Sequence, residues 1–80
     1  MEMEITYSMH SLERMKEREI SKNEVRNTIW APTKIITKGP TNLAMRIRPN
    51  GHLLIVVYTF LIDTYKIITV IDTSKVNKYL

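Results

Sequence analysis

The sequence predicts an α+β domain: two N-terminal helices packed on a four-stranded antiparallel β-meander. Three observations carry that reading. Two helix-start signals, Ser8 and the Ser21/Glu24 pair, fall before residue 31. Pro32 closes the helical stretch, because the residue before a proline is steered away from helical geometry. Beyond it the apolar residues alternate instead of recurring every third or fourth position, and Asn50-Gly51 separates two such runs.

Ser8 serves as an N-cap, with Tyr7 and Leu12 in staple positions around it, so a first helix is expected over residues 9–18. Leu12 and Met15 then face the sheet. Ser21 and Glu24 form a capping box inside an Ile20/Val25 staple, which starts a second helix that must end by Ala31. Ile35-Ile36 predicts a short edge strand. Leu43, Met45 and Ile47 alternate with Ala44, Arg46 and Arg48 as a half-buried strand does. Residues 53–60 are apolar on both faces, as in a central strand, and residues 65–72 make the fourth strand.

A two-residue Asn50-Gly51 loop sets Arg48 opposite Leu53 and Arg46 opposite Ile55. Leu43, Met45, Ile47, Leu54, Val56 and Tyr58 then face the helices. The opposite face carries Arg46, Arg48, Ile55 and Val57, joined by Lys66, Ile68 and Val70 once Phe60 pairs with Tyr65, and is basic at its rim. A bulge or a one-residue slip exchanges the two faces of a strand.

Composition narrows the function. Eighty residues make one small domain that buries only about 60% of its unfolded surface. With 44% apolar and 25% charged residues and only two glycines, the chain is globular rather than disordered. No cysteine is present, which removes disulfides and thiolate metal sites and fits a reducing cytoplasm. The N-terminus lacks a secretory pattern and the longest apolar run, residues 53–58, is too short to span a bilayer, so a cytoplasmic protein with no membrane partner is expected. A net charge of +4 favours an anionic partner. A marginal core and an open sheet edge favour association with a second copy or another small protein.

The chemistry concentrates in the first predicted helix. His10, Arg14 and Arg18 recur every fourth residue, within an arc of roughly 80°. Two readings stand. In one, this is a solvated face laced with Glu13–Lys16 and Arg14–Glu17 pairs. In the other, His10 is a general acid or base and the arginines stabilise charge on a phosphoryl transition state, the equipment that metal-free RNA cleavage needs. The two histidines, Asp63 and Asp72 show no metal-ligand spacing, so neither metal nor cofactor is expected, and His52 beside the turn reads as an exposed hairpin residue. No strand-turn elbow surrounds Ser8, and no basic recognition helix of a DNA reader stands out.

The stretch Ser8-x-His10-xxx-Arg14-Met15-xx-Arg18-x-Ile20-Ser21, followed by Val25, Ile29 and a late Ile68-Thr69-Val70 strand, resembles a small family of domains with the pattern S-x-H-x-x-x-R-M-x-x-R-g-I-s. That family is similar to the RelE, ParE and BrnT toxins and, more broadly, to the barnase-like metal-independent RNases. The resemblance covers residues 7 to about 72. It implies a toxin-type ribonuclease acting on RNA and neutralised by a small antitoxin, with His10, Arg14 and Arg46 catalytic and Arg18 and Thr69 contacting RNA; Arg48 and Lys66, read from the basic rim of the sheet, are expected to contact RNA as well. Glu19 departs from the pattern, which has glycine there, so the chain must leave the helix without a residue free to turn left-handed. The rival from another class is a non-catalytic protein- or nucleic-acid-binding module of a mobile element or virus, since fold alone does not carry function.

Overall fold

In the computed structural model, which describes residues 4–80, the chain runs β1 (Glu4–Tyr7), α1 (Met9–Glu17), α2 (Lys22–Trp30), β2 (Lys34–Lys38), β3 (Thr41–Ile47), β4 (Leu53–Leu61), β5 (Thr64–Thr73) and α3 (Val76–Tyr79). The strands form one sheet in the order β1-β5-β4-β3-β2. The α+β class holds, but the four-stranded antiparallel meander becomes a five-stranded mixed sheet, because β1 runs parallel to β5. β1 has only four residues and its partner lies sixty positions away, with Glu4 beside Thr64, so no local pattern announces the pairing. The third helix, α3, is likewise a single turn, too short to show a period.

Both N-caps form. Ser8 Oγ accepts from Ser11 N–H at 3.0 Å, and Ser21 Oγ accepts from Glu24 N–H at 3.1 Å. α1 ends in a Schellman turn: Ile20 N–H donates to Met15 C=O at 2.8 Å and Glu19 N–H to Lys16 C=O at 3.4 Å. Glu19 itself takes the left-handed conformation, with φ 53°. A side chain there is strained by about 1 kcal/mol relative to glycine. Met15 and Ile20 are both buried and seal the turn from inside. Leu12, expected against the sheet, is 37% exposed, and Ser11 takes the buried place on that turn.

The sheet is apolar on both faces. Met15, Val25 and Ile29 of the helices pack against Leu54, Val56 and Ile67. On the opposite face Met45, Leu53 and Ile55 are covered by Val76 and Tyr79 of α3. Register decides which β3 residues go where, and it differs from expectation by one. Arg48 N–H donates to His52 C=O at 2.7 Å and Gly51 N–H to Arg48 C=O at 2.9 Å, with Gly51 at φ 87°. The loop therefore holds Pro49, Asn50 and Gly51, the three-residue form that ends in a left-handed glycine. Arg46 consequently pairs with Leu54 and Ile47 with Leu53. Leu43, Met45 and Ile47 turn toward α3, whereas Ala44 and Arg46 turn toward α1 and α2.

A bulge corrects the other hairpin. Phe60 pairs with Tyr65 as expected, but Val57 pairs with Thr69 and Tyr58 with Ile67, leaving Ile68 as the extra residue. The bulge moves Val70 to the helix face, while Lys66 keeps its expected place beside Thr59 on the opposite, α3 face; the shift of β3 takes Arg46 and Arg48 away from it. The single basic rim of Arg46, Arg48 and Lys66 does not exist. No helix among the described residues is long and apolar enough to cross a membrane.

Candidate functional site

α1 is tied to the sheet at its N-terminus. Ser8 N–H donates to Ile67 C=O at 3.1 Å, and the capping Ser8 hydroxyl donates to Ile68 C=O at 2.7 Å. The bulge at Ile68 brings these two neighbouring carbonyls within reach of one serine. Ser11 is buried behind it, its hydroxyl donating to Ser8 C=O at 2.8 Å, and Met15 enters the core one turn later. With Ser11 and Met15 facing inward, the stripe at 10, 14 and 18 is carried along the edge of β5.

That edge is open. β1 pairs with β5 only up to Ile67, so residues 68–73 of β5 have β4 on one side and α1 on the other. His10, Arg14, Arg18 and Thr69 line a groove of about 390 Å³ there, together with Val70, Ile71 and Asp72. Four of the seven residues expected from the sequence are brought together. Among the described residues none of the three basic side chains is in an ion pair, and the expected Glu13–Lys16 and Arg14–Glu17 pairs do not form. His10 also lies in the first turn of α1, where no acidic side chain offsets the partial positive charge of the helix end. The groove thus concentrates positive potential beside an unpaired strand edge.

The other three residues lie elsewhere. Arg46 reaches over α2, where Nη1 donates to Asn27 C=O at 3.1 Å and lines a separate cavity of about 290 Å³ with Glu24 and Thr28. It does not converge on His10. Lys66 projects exposed from the α3 face. Arg48 is the clearest correction, because its side chain is only 10% exposed and every arm is occupied. Nε and Nη2 donate to the two carboxylate oxygens of Glu24, Nη1 donates to Asp72, and Nη1 and Nη2 reach the last carbonyls of α1 at Arg18 and Glu19. One guanidinium ties α1, α2, β3 and β5 together. It leaves no donor for RNA.

Sequence reasoning missed this cluster for two reasons. Glu24 was assigned to the capping box, but only the serine half of the box forms and the carboxylate turns to Arg48 instead. His52, which from sequence reads as an exposed hairpin residue, places Nδ1 2.7 Å from Asp72 Oδ1. Burial alone raises the Asp72 carboxyl, yet the hydrogen bonds from His52 and Arg48 outweigh it and hold the group below the usual aspartate range. Glu24 first, then Asp72, hold Arg48 more firmly protonated than a free arginine, against its own burial. Two register changes build the cluster: the extra turn residue puts Arg48 on the face of α2 and Glu24, and the bulge at Ile68 puts Asp72 on that same face, level with Leu54.

A profile of the family described as a domain of unknown function, DUF4258, matches residues 7–72. No curated protein and no solved structure matches the chain. The matched span runs from the last residue of β1 to Asp72 and so includes both the groove and the Arg48 cluster.

Proposed function

The chain belongs to the DUF4258 family, and we propose that it is an RNA-directed, toxin-type protein that cleaves RNA without a metal in the groove between α1 and the edge of β5. The observation that carries this reading is the gathering of His10, Arg14 and Arg18, with no ion-pair partner among the described residues, over a strand edge. The resemblance to the RelE, ParE and BrnT toxins points the same way, and an antitoxin would be the natural partner of such an activity.

In this reading the scissile phosphate lies across Arg14 and Arg18, which neutralise charge on its equatorial oxygens. His10 moves a proton at the 2′-hydroxyl that attacks phosphorus or at the 5′ oxygen that leaves. Thr69 lines the groove wall from β5. Arg46 has no part in the step, since its guanidinium serves α2.

The test is cleavage of RNA, with and without ribosomes, in excess chelator. His10→Ala is expected to lower the rate by about 10²–10⁴-fold while leaving the melting temperature unchanged, since an exposed histidine contributes little packing. A second reading, a non-catalytic binding module, is favoured by one observation: His10 is exposed and, among the described residues, has no carboxylate in ion-pair reach to orient its ring, whereas His52 has Asp72. Wild type that binds RNA but never cuts it selects that reading.

A further inference from the structure

α2 carries a second stripe. Lys22, Arg26 and Trp30 recur every fourth residue and are all exposed, while Val25, Thr28 and Ile29 between them are buried. The stripe runs along a bank of aromatic rings from the sheet. Lys22 Nζ lies 5.2 Å from the centre of the Tyr7 ring. Trp30 stacks obliquely on Tyr65, with ring centres 5.5 Å apart, and Tyr65 in turn meets Phe60 at 4.8 Å and Tyr58 at 5.4 Å. Tyr58 is buried and anchors the group. Trp30 and Phe60, at 52% and 43% exposure, present their rings to solvent. Lys22 and Arg26 are in no ion pair among the described residues.

Exposed aromatic rings at one end of a row of cations have few uses in folding. Burying Trp30 would stabilise the domain, and leaving two cations without acidic neighbours does not. Two occupants suit an aromatic face, a second copy of the chain or an unpaired nucleic-acid strand. A two-fold contact sets the patch against itself, and the stripe holds two cations and no carboxylate, so a second copy brings Lys22 and Arg26 no opposite charge from this surface. An unpaired strand meets both halves of the stripe with the right chemistry: phosphates against Lys22 and Arg26, base faces against Trp30 and Phe60. A duplex offers no free base face for those rings.

We infer that the exposed face of α2, from Lys22 to Trp30 with Phe60 and Tyr65 beside it, is a stacking platform for single-stranded RNA. The inference rests on the RNA-directed reading above and names the form of RNA: unpaired, with bases stacked at the Trp30 end. The platform and the α1 groove are separate surfaces, so they are separable by experiment.

Trp30 is the sole tryptophan, so its fluorescence reports on this platform alone. The wild-type protein is titrated at low salt with an oligouridylate of about ten nucleotides, long enough to span one such surface, and in parallel with inorganic polyphosphate. The oligouridylate is expected to quench Trp30, and polyphosphate to leave it nearly unchanged. With a labelled oligouridylate read by anisotropy, Trp30→Ala should weaken binding by about 5- to 150-fold, the loss of one stacked base, and Trp30→Phe should recover most of it. Replacing Lys22 and Arg26 by alanine should lower the slope of log affinity against log salt by about 1.4. Three results would overturn the platform: no quenching by the oligonucleotide, equal quenching by polyphosphate, or wild-type affinity in a folded Trp30→Ala. A fourth is a dimer in light scattering that Trp30→Ala converts to monomer, which gives the face to a second copy. His10-dependent cleavage without quenching removes the platform and keeps the nuclease, whereas quenching without cleavage removes the nuclease and keeps the platform.

Discussion

Arginine does opposite work at the two ends of the β5 edge. Arg48 sits where two carboxylates and two helix-end carbonyls converge and is shut away from water, while Arg14 and Arg18 lie a few ångströms above the same strand with no acidic partner among the described residues. The residue type is identical and the partner supply is not. A guanidinium whose five donors are all accepted by protein holds elements together, and one whose donors point into an open groove is available to a phosphate. The side chain of Arg18 faces the groove even as its backbone carbonyl accepts from Arg48, so the two settings share a residue.

The sharpest way to break this contrast is Arg48→Ala. It leaves Asp72, 8% exposed, with His52 alone, takes both contacts from Glu24 and releases the α1 C-terminus at once. A loss of about 3 kcal/mol is expected, the usual result of removing one partner of a buried pair, and it should lower Tm by about 12–24 °C in a domain of this size. Thermal melts check it, and a shift as small as that of a surface mutant would mean the cluster is not structural.

The same cluster sets the response to acid. The folded Asp72 carboxyl titrates below its unfolded value near 4, so its contribution is complete above that pH and is lost as pH falls through the folded value. Asp72→Asn should therefore be less stable than wild type at neutral pH, with the gap narrowing below about pH 4. Denaturant melts from neutral pH down into acid measure it, and a gap that stays constant would remove Asp72 from the account.

Glu19→Gly works between the two regions, at the turn that separates the stripe from the cluster. It should stabilise the protein by about 1 kcal/mol by relieving a left-handed side chain, visible as a higher denaturant midpoint. Smallest of all is the effect expected on folding from Arg14→Ala and Arg18→Ala, within about 0.5 kcal/mol of wild type. Any loss of RNA cleavage in those variants then reads on function alone. If they destabilise the fold as Arg48→Ala does, the groove arginines are structural too and the contrast fails.

What could be read in advance follows from the range of each interaction. The two N-caps, the stop before Pro32 and the recurrence of His10, Arg14 and Arg18 on one helix face depend on residues three or four apart, so local chemistry settles them. The α+β class follows from the change of period after Pro32 in the same way. Tertiary structure decided the rest. Whether the stripe meets water or a strand edge depends on Ser8 finding the Ile68 carbonyl sixty positions along the chain. The role of Arg48 depends on one extra residue in the 49–51 loop, which carries it to Glu24, and on the bulge at Ile68, which brings Asp72 to the same face, each carboxylate twenty-four positions away from it. Strand alternation has a period of two, so a single residue in a turn exchanges the two faces, and only the packed sheet shows which face a charge has reached.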